Sequence, residues 1–216
     1  MCSTTGICQS RIEVGVRGGV PFNDAFQSQL SSGTRTITSD RSRYTVGPTI
    51  RTTLTEHLAV QLDALYTHSR YDRVDTPGCV CNVLTSSVHY DRWDFPLLAL
   101  LESSRPSRAF IGGGIALHRS NNTFRTTVFS PNGTVSPFSV RAHGGDGKAL
   151  AIVISSGLRR KVGPVVLEPE IRYSRLRSDA PDSSGSPFEV IRTPNQFEFM
   201  LGITIPRFRS HNKNVK

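Results

Sequence analysis

The stretch VVLEPEIRYSRLRS, Val165 to Ser178, alternates apolar with charged or polar residues almost without interruption. Val165, Leu167, Pro169, Ile171 and Tyr173 form one set; Val166, Glu168, Glu170, Arg172 and Ser174 form the other. Successive side chains of a β-strand point to opposite faces, so this strand has one oily face and one ionic face. The reading of the whole chain turns on which face looks inward.

The same period recurs about eight times. RIEVGVRGGV sets Ile12, Val14 and Val16 against Arg11, Glu13 and Arg17. RYTVGPTIRTTL sets Tyr44, Val46 and Ile50 against Thr45, Thr49 and Arg51, and LAVQLDALYTH sets Leu58, Val60, Leu62 and Tyr66 against Gln61, Asp63 and Thr67. RWDFPLLALLE places Trp93, Phe95, Leu97 and Leu101 opposite Asp94 and Glu102. AFIGGGIALH, ALAIVISSGLR and NQFEFMLGITI complete the set, the last opposing Phe197, Phe199, Leu201, Ile203 and Ile205 to Gln196, Glu198 and Thr204. No amphipathic helix of comparable quality competes.

Composition agrees with strands and turns. The 216 residues include 18 glycines and 13 prolines, and the apolar share is 37%. No apolar run approaches the roughly 20 residues of a membrane-spanning helix, but a membrane strand needs only about 10 alternating ones. The formal net charge is +9, which invites anionic partners such as phosphate groups or a membrane surface. The arginines are scattered and no helix gathers them, so nucleic acid is not an expected partner. Cys2, Cys8, Cys79 and Cys81 do not match zinc-site spacing and read as loop and tail thiols. MCSTTGICQS lacks the basic and apolar regions of a signal peptide. The expectation is a cytosolic chain, or a start placed downstream of a leader.

Connection lengths separate the architectures. TEH, SSRPSR and RKVGP are tight links, whereas PFNDAFQSQLSSGTRTITSDRS, the region around DTPGCVCNVLTSS, NNTFRTTVFSPNGTVSPFSVRAHGGD and DAPDSSGSPFEVIRTP are long and polar. Long loops at one end and short turns at the other describe an outer-membrane barrel. Threading the strands up and down puts Tyr44, Tyr66, Trp93, Tyr173 and Phe197 on the apolar face near the long-loop end, the expected position of an interfacial aromatic girdle. The apolar set is then expected to meet lipid. The inward set supplies both charge signs, Glu13, Asp63, Asp94, Glu168, Glu170 and Glu198 against Arg17, Arg51, Arg159 and Arg172. Unpaired buried charge is costly, so these ten are expected to form a salt-bridged plug in a lumen that eight strands leave just wide enough for side chains.

At this point the chain resembles the small outer-membrane β-barrel proteins of Gram-negative bacteria, the OmpA-like and OmpX-like domains. The stretches VGVRGGVPFNDAF, YTVGPTI, RWDFPLLAL, FIGGGIALHR, LEPEIRYSR and NQFEFMLGITI carry the resemblance, which covers roughly Arg11 to Ile205. It implies an all-β, eight-stranded antiparallel up-and-down transmembrane barrel. It also implies adhesion, envelope integrity or surface-ligand binding through the long loops, in the bacterial outer membrane. Two departures stand out. No signal peptide precedes Arg11, and Ile205 occupies the place of the aromatic residue that commonly ends such chains, followed by the basic tail PRFRSHNKNVK.

Candidate chemistry is sparse. Glu168 and Glu170 lie beside Arg172, which favours an ion network over a catalytic carboxylate pair. IGGGI leads into no helix, so it reads as close strand packing rather than a phosphate loop. The six histidines show no metal-ligand spacing, and no G-x-S-x-G elbow positions a nucleophile. No catalytic residue, metal or cofactor is expected. Arg70, Arg73, Arg119, Arg125, Arg175 and Arg177 fall near the long-loop rim, where they read equally as contacts to anionic lipid phosphates or as solvated charge. The expectation is a non-enzymatic, monomeric barrel over residues 11–205, with an N-terminal remnant at 1–10 and a basic tail at 206–216. The alternatives are a soluble lipocalin-like barrel around a hydrophobic small molecule and a rim-sited membrane enzyme.

Overall fold

The computed structural model describes residues 11–22, 34–39, 43–76, 83–104, 108–129, 138–143, 147–177 and 194–206. Its elements are all strands: β1 Arg11–Pro21, β2 Thr34–Ser39, β3 Tyr44–Thr53, β4 Leu58–Asp63, β5 Leu65–Thr76, β6 Val83–Glu102, β7 Arg108–Phe129, β8 Phe138–His143, β9 Gly147–Val162, β10 Val165–Leu176 and β11 Asn195–Pro206. Three pairs are segments of single staves. β2 and β3 both lie against β5, β4 and β5 against β6, and β8 and β9 against β7. Eight antiparallel staves result, and β1 pairs with β11 to close the cylinder.

The register fixes the geometry. One circuit runs from Glu102 through Phe110, Gly157, Glu170, Met200, Gly19, Thr45 and Thr67, and returns to β6 at Arg92. Arg92 lies ten residues from Glu102 along the strand. With ~3.3 Å per residue and ~4.8 Å between strands, that stagger over eight staves tilts them by about 40°. Each residue along a stave then climbs about 2.5 Å, and each step to the next stave along a ladder row about 3 Å.

At one end, residues 54–57 join β3 to β4, residues 103–107 join β6 to β7, and Gly163 with Pro164 joins β9 to β10. Gly163 has φ of 61°, the left-handed region a two-residue turn asks for and glycine accepts freely. Strand β9 runs on to Val162, so Arg160 and Lys161 belong to the ladder and not to the turn. The expected long connections are also partly strand: β2 lies in the first, the start of β6 in the second, and the end of β7 with β8 in the third. In β2 and the end of β7 polar residues fall at both parities, so they show no apolar alternation to count, whereas FSVRAH of β8 alternates over only six residues. The four cysteines, residues 1–10 and residues 207–216 lie outside the described residues.

The two faces of the staves are cleanly divided. Val14, Val16, Ile50, Leu62, Leu97, Ile115, Ile152, Ile171, Phe199, Leu201 and Ile203 are exposed on the outside, while Glu13, Arg17, Arg51, Asp63, Glu168, Glu170 and Arg172 are buried within. The eight steps from Trp93 to Leu101 on β6, with Trp93, Phe95, Leu97 and Leu101 outward, cover about 20 Å of axial height, close to the ~25 Å apolar band of an outer-membrane barrel. The interior is not ionic throughout. Leu98, Leu100, Phe110, Ala116, Ala149, Ala151 and Val153 of β6, β7 and β9 form an apolar sector with Ala59 and Leu176. The first glycine of IGGGI explains how it fits, because a Cβ on Gly112 would overlap the Leu100 side chain.

Candidate functional site

The ten charged residues expected inside the barrel are all buried there, and each has an oppositely charged partner within the lumen. They sit in three tiers. Nearest the short turns, Arg159 pairs with Glu13, reaches Glu102 at 3.3 Å and donates to Glu168 at 2.6 Å. Arg51 pairs with Glu102, lies 3.6 Å from Glu168 and places its guanidinium over the Phe110 ring, 5.5 Å from the centroid. Arg51 therefore stands where the ionic side of the lumen meets the apolar sector.

The middle tier centres on Arg17, which pairs with Glu168 and Glu170 and donates to Gln61 at 2.9 Å. Arg172 donates to Glu170 at 2.9 Å and to Asp63 at 2.7 Å. Thr49 donates to Asp63 at 2.6 Å, and the Gln61 amide donates to it at 3.1 Å. In the third tier Arg92 donates to Asp94 at 2.7 Å and to Glu198 at 3.1 Å, with Gln196 beside it. His118 meets Asp94 through Nδ1, while its Nε2 is buried without a hydrogen-bond partner among the described residues.

Sequence reasoning omitted Arg92, Glu102 and His118 from this network, together with the amides of Gln61 and Gln196. Parity carries the missing signal. Arg92 and Glu102 share the inward phase of Asp94 on β6, and His118 shares that of Ala116 and Ser120 on β7. Among the described residues the lumen buries seven carboxylates (Glu13, Asp63, Asp94, Glu102, Glu168, Glu170, Glu198) and five arginines (Arg17, Arg51, Arg92, Arg159, Arg172). Acids exceed arginines among these residues, so they do not supply the net charge of +9.

On the outer face, Tyr44, Tyr66, Trp93, Tyr173 and Phe197 all point away from the lumen. The ladder puts Tyr66 beside Trp93 and Tyr173 beside Phe197, with ring centroids 5.3 and 4.8 Å apart. At the tilt derived above, all five fall within about 6 Å of one height. Phe22, 6.4 Å from Phe199, and Phe95, stacked under Trp93, extend the band and were not anticipated.

The rim arginines do not all share that height. Arg70, with Asp72 at 4.0 Å, and Arg125 lie further along β5 and β7, while Arg119, Arg175 and Arg177 are exposed close to the aromatic band. The side chain of Arg73 lies outside the described residues. Arg159, which could be counted with the basic residues of the short-turn end, faces inward.

No family model matches the chain, and no curated protein matches it in sequence. Solved structures do match in fold. The outer membrane protein OprG from Pseudomonas aeruginosa superposes with a TM-score of 0.52 at 12% identity, covering 93% of this chain and 96% of that one. Neisserial surface protein A gives 0.46 at 11% identity over 92% and 97%, and Ail of Yersinia pestis gives 0.44 at 12% over 92% and 97%. With its inverted faces and its closed eight-stave ladder, the chain has the fold of the small outer-membrane β-barrels of bacteria.

Proposed function

We propose that this barrel is a non-enzymatic component of the outer membrane whose lumen is filled by its ion network and whose recognition work is done beyond the membrane. One observation carries the reading. Seven carboxylates and five guanidiniums interlock across a cylinder whose eight staves leave about enough room for side chains alone. Such an interior offers no continuous water path, and its charged groups are committed to one another rather than to a substrate. The outward aromatics act as a girdle at headgroup level, and the closed ladder lets the barrel stand as a monomer. Connections at the end opposite the short turns then supply contact with a surface ligand or a neighbouring envelope component.

Two measurements test this. Refolded protein in planar bilayers is expected to give no conductance steps, and liposomes carrying it are expected not to swell in small sugars; a stable open conductance would contradict a filled lumen. Replacing residues 23–33, 77–82, 130–137 and 178–193 with short turns should leave the heat-dependent gel mobility of the barrel intact while abolishing surface attachment. Attachment that survives all four replacements would contradict the recognition role.

A further inference from the structure

We propose that His68 of β5 and His89 of β6 form a binding site for a divalent transition-metal ion of the copper, nickel and zinc class, on the outer surface of the barrel just past the aromatic band. The proposal rests on the strand register and goes beyond the recognition role. In the β5–β6 ladder His68 stands opposite Asp91 and His89 opposite Arg70, so the two histidines are diagonal neighbours on one face. Diagonal positions are within reach of long side chains, and the two imidazole centroids lie 6.3 Å apart with their planes at 37°. By the tilt of the staves, His68 and His89 lie about 2 and 10 Å beyond the height of Trp93. Water and its solutes reach that level, and His89 is exposed while His68 is half-buried.

The separation fits one ion held between two rings. A histidine nitrogen sits about 2.1 Å from a bound metal and the ring centre about 3.2 Å, so two imidazoles on one ion have centroids up to about 6.4 Å apart. His68 is already set in place. Its Nδ1 meets Asp91 at 2.7 Å, and the Tyr66 hydroxyl donates to the same carboxylate oxygen at 2.7 Å. A carboxylate only accepts, so Nδ1 carries the hydrogen and the lone pair of the neutral ring sits on Nε2. A carboxylate behind a ligating histidine fixes the tautomer in this way and raises the basicity of the ligating nitrogen. Tyr44 packs against the same imidazole with centroids 5.8 Å apart, which steadies the ring while the exposed His89 swings to meet the ion.

Imidazole ligands select zinc, copper and nickel, whereas magnesium and calcium take oxygen ligands. Among the described residues no group of three His, Cys, Asp or Glu side chains is placed to hold a metal ion. Two imidazoles are therefore the protein's share and exchangeable water completes the shell, which makes this a site that takes up and releases its ion. Asp91 brings negative charge to the pair, and Arg70, the ladder partner of His89, lies 4.0 Å from Asp72. His118 makes the same Nδ1 contact with Asp94, but it is buried in the lumen, where a solute ion does not arrive.

The test uses the full chain, folded in neutral detergent micelles and titrated with nickel chloride. Emission of the single tryptophan, Trp93, is the readout, because its ladder neighbour Tyr66 donates to Asp91. Wild-type protein is expected to show saturable quenching that excess zinc reverses and excess magnesium does not. Asp91→Asn keeps both ligands and should weaken binding about tenfold, the lower end of the range for a group behind a ligating histidine. His68→Ala and His89→Ala each remove a ligand and should weaken it further. His57→Ala, an exposed histidine at the short-turn end, should leave it unchanged. An unquenched wild type, or quenching that persists at wild-type strength in either His68→Ala or His89→Ala, would overturn the two-histidine site. Equal losses in His57→Ala and His89→Ala would assign the effect to scattered surface histidines and overturn it as well. An Asp91→Asn variant as tight as the wild type would overturn the positioning of His68. Heat-dependent gel mobility in the same samples reports whether the barrel has formed, so failure of the barrel reading is seen separately from failure of the site.

Discussion

Replacing Arg172 with methionine keeps the side-chain volume and deletes the charge that holds two buried carboxylates. Arg172 reaches Asp63 at 2.7 Å and Glu170 at 2.9 Å. Without it, Glu170 keeps Arg17, while Asp63 keeps Thr49 at 2.6 Å and Gln61 at 3.1 Å, with Arg17 only at 3.7 Å. Arg17 would then serve three carboxylates at once. Breaking a buried pair from one side costs roughly 3–5 kcal/mol, and the retained hydrogen bonds place this case near the lower figure, about 3 kcal/mol. Urea unfolding from micelles provides the assay, followed by emission of the single tryptophan, Trp93, and by gel mobility. Adding Asp63→Asn removes the stranded charge and should recover part of the loss, giving a coupling of about 0.5–3 kcal/mol in the double-mutant cycle. A loss below about 1 kcal/mol, the range of exposed ion pairs, would mean that these groups are solvated and would refute the dry interior.

Depth along the barrel should be readable on a single stave. Leu97→Arg, near the middle of the apolar band, is expected to cost about 2–4 kcal/mol in the same unfolding assay, and Leu101→Arg, beside the short connection, about 0–1 kcal/mol. Gly112→Ala should destabilise by about 1–3 kcal/mol because the new methyl meets the Leu100 side chain, and the same change should cost less in a Leu100→Ala background; an additive pair would refute the contact. Emission of Trp93 should be quenched more by bromines near the lipid headgroup than by bromines at the chain ends, which checks the height of the aromatic band.

The alternation in VVLEPEIRYSRLRS and its counterparts made the stave number and the ionic set legible, because parity alone assigns each residue to a face. Inside and outside could not be separated by parity; the one-ended placement of Tyr44, Tyr66, Trp93, Tyr173 and Phe197 suggested the inversion, and the exposure of Leu62, Ile171 and Phe199 agrees with it. Strand β6 was harder to read. Leu97, Leu98, Ala99, Leu100 and Leu101 are apolar on both faces, so the apolar sector of the lumen leaves no alternating signature. The extensions of β6 and β7 past the aromatic band were hidden because their residues set no regular apolar series against a polar one. The His68–His89 pair joins residues 21 apart in sequence, and only the register brings them together.

Methyl contacts to lipid probe the inversion without altering a residue. In perdeuterated protein carrying protonated Leu, Val and Ile methyls, embedded in nanodiscs with protonated acyl chains, cross-relaxation from the chains should reach Leu97, Ile115, Ile152, Leu201 and Ile203. It should be absent at Leu98, Leu100, Val153 and Val166. Lipid contacts at the second group, with water contacts at the first, would overturn the outward placement of the oily face.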